Sequence, residues 1–262
     1  MRKGLLLMAL LVAGESTTAQ QTFCGISNTS FKSGEQFSVR INYNLGIFYV
    51  GAGEATFTTS LEKLGNQVVY HVIGIGKTFA AYNWFFKVND RYETYIDTSD
   101  LLPLEFIRKV HEGGYHIYNR VIFNHAMGTA TSTHGVFKVP DCIQDVLSTI
   151  FYARNIDFDR YKPGDKIPFY MFLDDKVYSI YIRYLGKQDI QTRYGRFHAI
   201  KFKPLLIKGT IFNGGEQMTV WVSDDRNHIP LRIDSPISVG SIKADLDHYS
   251  NLRYPLSSRI SR

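Results

Sequence analysis

The sequence predicts a mainly β fold: a single large antiparallel sheet, curved as an incomplete barrel or sandwich, with one or two short covering helices. Three observations carry that reading. Aromatic residues are plentiful, with 18 Phe, 17 Tyr and 2 Trp among 262 residues against only 8 Pro, and pleated surfaces suit rings and branched side chains. Apolar residues recur with period two along most of the chain, the pattern of half-buried strands. Only two segments carry the 3.6-residue period of a helix. A content of 44% hydrophobic and 21% charged residues excludes wholesale disorder, a collagen-like fibre and a disulfide-dense miniprotein.

Taken in order, the chain opens with Arg2 and Lys3, an apolar run from Leu5 to Val12, Gly14, and then Thr17-Thr18-Ala19. This three-part pattern reads as a secretory signal peptide over 1–19, cut after Ala19. The apolar run is far shorter than the roughly 20 residues that cross a bilayer, and nothing later approaches that length, so no transmembrane anchor is expected. Cys24 follows Gln21-Thr22-Phe23 and lacks a lipid-attachment pattern. The expectation is an exported protein, periplasmic or extracellular, with a single β-rich domain over 20–262. The net charge of +6 is spread along the chain, and export argues against a nucleic-acid partner.

Phe37, Val39, Ile41 and Tyr43 alternate with Ser38, Arg40 and Asn42, giving a strand with one apolar face. Similar segments follow over 55–61, 67–75, 91–96, 104–110, 115–123 and 128–133, separated by turn residues such as Leu64-Gly65-Asn66 and Glu112-Gly113-Gly114. The first half therefore reads as a meander. A second run covers 167–173, 177–185, 197–203, 217–222, 229–233 and 237–246. In the last of these the apolar phase changes across Gly240-Ser241, which a bulge at Gly240 would correct. Ile167–Leu173 and Val177–Leu185 are apolar or aromatic on both faces, which implies cover on both sides.

Helical periodicity is clearest over 142–153, where Ile143, Val146, Leu147, Ile150 and Phe151 share a face. Asp141 is the expected cap and Gln144 the returning member of a capping box. This helix joins the two β halves. A shorter candidate spans 78–86, with Phe79, Tyr82 and Phe86 on one side. The two cysteines, Cys24 and Cys142, can pair in an oxidising compartment if the fold brings their Cα atoms within about 7 Å.

Three stretches then resemble a known family. They are Gln144-Asp145-Val146-Leu147-Ser148-Thr149-Ile150-Phe151-Tyr152-Ala153-Arg154, Val220-Trp221-Val222-Ser223-Asp224-Asp225-Arg226-Asn227-His228-Ile229-Pro230-Leu231, and Ser238-Val239-Gly240-Ser241-Ile242-Lys243-Ala244. Together, over about 35–250, they resemble domain-of-unknown-function family 3108, exported proteins of Gram-negative bacteria. The resemblance implies a β-rich exported fold. It implies no activity and no functional residues.

Sharper motifs fail on chemistry. Gly74-Ile75-Gly76-Lys77-Thr78 ends like a phosphate-binding loop, but His71 stands where the first glycine belongs. Asp174-Asp175 and Asp224-Asp225 are carboxylate doublets, yet neighbours on a strand point to opposite faces, and hairpin turns account for both. The 8 histidines show no metal-ligand spacing, so no metal and no cofactor are expected. Nor does any Gly-x-Ser-x-Gly elbow occur.

Without a recognisable catalytic set, the reading is a cell-envelope binding or structural module. An apolar, acyl or glycan ligand, or a cell-envelope protein, would meet an aromatic-lined concavity, with Tyr82, Trp84, Phe85, Phe151, Tyr152 and Trp221 as candidates; each ring is equally accounted for by core packing. The alternative is an extracytoplasmic hydrolase acting on glycans. Two features separate these readings: a cavity of at least about 300 Å³ beside the helix marks a small-ligand site, and facing carboxylates about 5 to 10 Å apart mark a glycosidase.

Overall fold

The computed structural model describes residues 23–45, 48–82, 87–208, 214–237 and 240–261. The expected signal peptide lies outside them, as do Trp84, Phe85 and the side chain of Tyr82. Fifteen strands and one α-helix follow in order: β1 (Gln36–Leu45), β2 (Phe48–Leu64), β3 (Gln67–Thr78), β4 (Asn89–Asp97), β5 (Pro103–Glu112), β6 (Tyr115–Asn124), β7 (Thr129–Ser132), β8 (Gly135–Lys138), β9 (Ile143–Gln144), α1 (Val146–Ala153), β10 (Lys166–Leu173), β11 (Lys176–Thr192), β12 (Gly195–Pro204), β13 (Thr219–Ser223), β14 (Pro230–Pro236) and β15 (Ser241–Ser250). They form one sheet in the order β8 down to β1, then β15 down to β9. Neighbours pair antiparallel except β9 with β10, which are parallel.

That order is two meanders joined through β1 and β15, with free edges at β8 and β9. The edges are joined by chain as well, because only residues 139–142 lie between them. At about 3.6 Å per residue so short a link forces the sheet to curl until its ends meet. No ladder closes the ring. Instead the edges overlap through side chains: Phe172 of β10 lies 6.1 Å from Phe123 and 5.7 Å from Phe137 between ring centroids. Arg108 pairs with Asp174, and His134 Nδ1 lies 2.6 Å from Asp175.

The overlap explains why β10 is apolar on both faces. Ile167, Phe169 and Met171 enter one core cluster, with Ile180, Ile182, Ile200 and Phe202. Phe172 enters the other, with Phe37, Leu147, Phe151 and Phe197. In β11 the second face is covered by polar rather than apolar groups. Ile180, Ile182 and Tyr184 are buried, but Val177 is 38% exposed and Tyr181 and Arg183 are half-buried. Polar groups cover that face: Glu216 accepts from Tyr181 and Arg183, and Lys166 lies 4.3 Å from the Tyr181 ring centroid.

Three further expectations are corrected. The helix starts at Val146, not Cys142, and its cap is Asp145, not Asp141: the Asp145 carboxylate accepts from the amides of Leu147 and Ser148, while Ser148 Oγ accepts from the Asp145 amide. Gln144 takes no part in a capping box, because Ile143 and Gln144 pair with β10 before the helix begins. Of the shorter candidate over 78–86, Thr78 belongs to β3 and Ala80–Tyr82 form a 3-10 turn, while 83–86 lie outside the described residues. Gly240 is not a bulge within one strand but lies in the hairpin between β14 and β15. It has φ +80°, and a Cβ there would sit 2.4 Å from the carbonyl oxygen of Asn44.

Cys24 and Cys142 form a disulfide with Cα atoms 5.7 Å apart. Beside it the Phe23 amide donates to the Pro168 carbonyl at 2.9 Å, so the N-terminal segment lies against β10 next to the seam.

Helix α1 packs Leu147, Phe151 and Tyr152 into the core, each no more than 3% exposed. Replacing Leu147 with alanine removes a side chain that nothing nearby can replace. The expected loss is about 2 to 5 kcal/mol in a reversible denaturant melt, and a loss below about 1 kcal/mol would contradict this packing.

Candidate functional site

Helix α1 ends at a buried ion pair. Arg154, directly after the helix, reaches Glu35 with two nitrogens at 2.5 and 3.2 Å, and both side chains are at most 2% exposed. Its Nε donates to the Asn227 carbonyl at 3.0 Å, and the rings of Phe31, Phe37 and Phe151 surround the guanidinium. The Arg154 carbonyl accepts from Ser30 Oγ at 2.5 Å and from His228 Nδ1 at 2.7 Å. Because that partner is a carbonyl, Nδ1 carries the proton. Burial holds the His228 imidazole below its usual pKa, so it is neutral at pH 7, and its backbone sits at φ +43°. Two of the three stretches that carry the family resemblance thus meet at Arg154, Asn227 and His228.

A polar cleft of about 560 Å³ opens beside them, lined by Asn155, Asp159, Asp224, Asp225, Arg226 and His228 among others. Both doublets seen in the sequence occupy turns. Asp174 and Asp175 take left-handed φ values of +48° and +59° between β10 and β11. Asp225 accepts from Ser223, from the amide and side chain of Asn227, and from the Ser258 amide. In the cleft, Asp159 and Asp224 face each other across one ammonium, with Lys187 Nζ at 2.8 and 3.0 Å. Hydrogen bonding to Lys187 holds Asp159 below the usual carboxylate range. Burial opposes the charge on Lys187, but its bonds to Asp159 and Asp224 prevail and push it up to about 12. Glycoside hydrolysis needs one carboxyl kept protonated to serve as acid. This arrangement is an ion triad and supplies none.

A second cavity lies beneath α1. Val146, Leu147 and Ile150 form its roof, and Ala55, Phe57, Gly74, Gly76, Asp90 and Tyr92 its floor and wall. Paired register places Ala55 beside Gly76 and Phe57 beside Gly74. Three positions with little or no side chain therefore leave a hollow of about 230 Å³, apolar except for Asp90. A Cβ on Gly74 would already touch Phe57 and Leu147, whereas one on Gly76 would meet nothing within 4 Å. The hollow falls short of the roughly 300 Å³ that marks a site enclosing a whole small molecule, so that expectation is not met, and the space has room only for part of one. The glycines that resemble a phosphate loop are thus a cavity floor; Gly76, Lys77 and Thr78 pair with Ala55, Glu54 and Gly53 of β2.

The candidate aromatics are placed otherwise. Phe151 is 1% exposed, with its ring 5.1 Å from Phe31, and Tyr152 is 2% exposed, donating its hydroxyl to the Phe23 carbonyl. Trp221 is half-buried with Lys201 Nζ 5.4 Å from its ring centroid. None of these three lines the hollow or the cleft. The residues that sequence reasoning missed are Ala55, Gly74, Gly76, Asp90 and Tyr92. Glycine at alternate positions of an apolar strand is the signal that marks them.

The model of a family of unknown function, DUF3108, matches residues 36–247. The chain belongs to that family. This DUF3108 protein finds no match among curated proteins. Among solved structures it is similar to a beta-barrel-like protein of domain of unknown function DUF1849 from Brucella abortus, with a TM-score of 0.55 and 8% identity over 84% of this chain and 99% of that one. A protein with a YmcC-like fold from Bacteroides fragilis aligns at TM-score 0.37 and 10% identity, over 85% and 98% of the two chains. The first likeness shows a shared barrel-like fold and nothing about activity.

Two predictions follow from the helix ends of this DUF3108 chain. Glu35→Gln leaves the Arg154 guanidinium buried without a counter-charge and should cost about 3 to 5 kcal/mol in a denaturant melt, with Arg154→Met added to it recovering part of the loss. At the other end, burial pushes Asp145 up to about 6, against the bonds it accepts from Thr94, Ser148 and Leu147. A carboxyl raised in the folded state contributes stability that is full below the unfolded value near 4 and is lost as pH rises through about 6. Asp145→Asn keeps the cap acceptor and removes the titration. Its stability relative to the parent should therefore rise between pH 4 and 7, by on the order of 2 kcal/mol. Equal pH slopes in melts of the two proteins would overturn the assignment.

Proposed function

We propose that this protein is an exported cell-envelope module that binds without catalysing, by taking one short apolar group into the hollow beneath α1. Export is supported by the basic, apolar and small-residue order of 1–19 and by the Cys24–Cys142 pairing, which suits an oxidising compartment. The observation that carries the binding reading is the lining: an almost wholly apolar floor in which Ala55, Gly74 and Gly76 withhold side chains opposite Val146 and Ile150. An apolar cavity of about 150 Å³ is enough to hold benzene. A hollow of 230 Å³ suits a chain end or a single ring, not a whole lipid. Ile150 remains only half-buried because it faces this space.

The hydrolase alternative is weakened by Lys187, which occupies the place where a sugar oxygen or water would have to lie between Asp159 and Asp224. The test uses an uncharged probe. 1-Hexanol should bind saturably to the protein by calorimetry or NMR shift titration. Gly76→Val, which fills the hollow without meeting backbone, should abolish that binding while leaving the melting transition in place. Absence of hexanol binding to the parent protein would sink the reading.

A further inference from the structure

Six carboxylates of the described residues are less than one-tenth exposed: Glu35, Asp90, Glu93, Glu105, Asp145 and Asp245. Four are paired with arginine, through Arg154, Arg91, Arg120 and Arg232 respectively for Glu35, Glu93, Glu105 and Asp245. Asp145 caps the N-terminus of α1, where backbone amides answer its charge. Asp90 is the exception. It is 8% exposed, it lines the apolar hollow, and among the described residues neither it nor its neighbour Glu112 makes an ion pair with Lys or Arg.

The surroundings of Asp90 sharpen the exception. It stands opposite Gly76, which presents no side chain to it. One oxygen accepts from the His111 amide at 2.9 Å. Burial, and then the charge of nearby Asp90, raise the Glu112 pKa. The guanidinium of Arg108, on β5 beside Tyr92, is engaged by Asp174 at the seam. A charge taken out of water is retained only where a partner or dense hydrogen bonding compensates it. Among the described residues no Lys or Arg pairs with Asp90, and its open side is a cavity with an apolar wall.

We propose that the hollow is a site for a primary alkylammonium group. Its apolar stem would lie between α1 and the floor of Gly74 and Gly76, and its ammonium would be held by Asp90, the carboxylate in the lining. An ammonium offers donors that a carboxylate can accept, and the Tyr92 ring in the same wall adds the attraction of an aromatic face for a cation. The chemistry has two sources, a free aliphatic amine and the side chain of a partner's lysine. This inference rests on the hollow being a binding site and adds the charge of what enters it.

The experiment compares n-hexylammonium with 1-hexanol on the intact protein at pH 7. The amine should bind at least tenfold more tightly. Asp90→Asn should remove that preference while leaving hexanol affinity unchanged. Gly76→Val should abolish both ligands. Equal affinity of amine and alcohol, or an amine preference that survives Asp90→Asn, overturns the ammonium site while the apolar hollow stands. Loss of both ligands in the parent protein overturns the hollow itself. Nα-acetyl-lysine amide binding more tightly than n-hexylammonium supports the site and assigns it to a lysine side chain. The reverse order supports it and assigns it to a free amine.

Discussion

The Arg154–Glu35 pair ties together parts of the chain that no β ladder connects. Glu35 precedes β1, and Arg154 follows the helix that joins the two meanders. Asn227 and His228, which Arg154 also holds, belong to the turn between β13 and β14. Desolvating two charges is expensive, and it is offset only where geometry is good and the remaining donors are used. Arg154 meets that condition: Nη1 and Nη2 reach Glu35, Nε reaches a carbonyl, and three aromatic rings enclose the planar group. With the C-terminal end of α1 pinned in this way and its N-terminal end capped by buried Asp145, the helix has one position over the sheet. The hollow exists because the roof is held at both ends above a floor that lacks side chains.

The seam imposes the second constraint. A sheet of this width closes by a ladder, splits in two, or covers its free edges. Here the four-residue link between β8 and β9 brings the edges together, and β10 lies under β6 and β8 through Phe172. Overlap lets a strand be buried on both faces, which a closed barrel of the same strands would not allow. The Cys24–Cys142 disulfide and the Phe23 amide add a further stretch of chain beside β10. The resulting edge is protected by covalent and side-chain means.

How much of this was legible depended on range. Period-two alternation located the strands from Gln36 to Asn124, because a half-buried strand writes its own pattern, although β2 runs over Phe48–Leu64 and the alternation marks only 55–61 of it. The face of α1 was also legible, since Leu147 and Phe151 obey helical spacing whatever precedes them. Its start was not. Cys142 adopts φ +56° and Ile143 and Gln144 pair with β10, both consequences of tertiary structure that local periodicity cannot carry. At Gly240 the sequence suggests a bulge where the structure has a hairpin, because a phase change looks the same in either. The hollow escaped for a different reason. Sequence reading looks for large aromatic residues around a ligand, whereas this space is defined by Ala55, Gly74 and Gly76, residues whose contribution is what they leave out.

Binding and catalysis make opposite demands on the charged groups of a protein, and the two cavities can be judged by them. A catalytic acid or base must be free to exchange a proton at working pH. In the cleft, Asp159 and Asp224 are tied to Lys187, Asp225 to three donors within its own turn and to Ser258, and His228 to the Arg154 carbonyl, so most of its polar groups already serve the fold. Asp90 in the hollow is placed differently, since it is buried, pairs with no Lys or Arg among the described residues, and adjoins an apolar cavity. On the reading proposed above, a cationic group from outside the chain completes that contact.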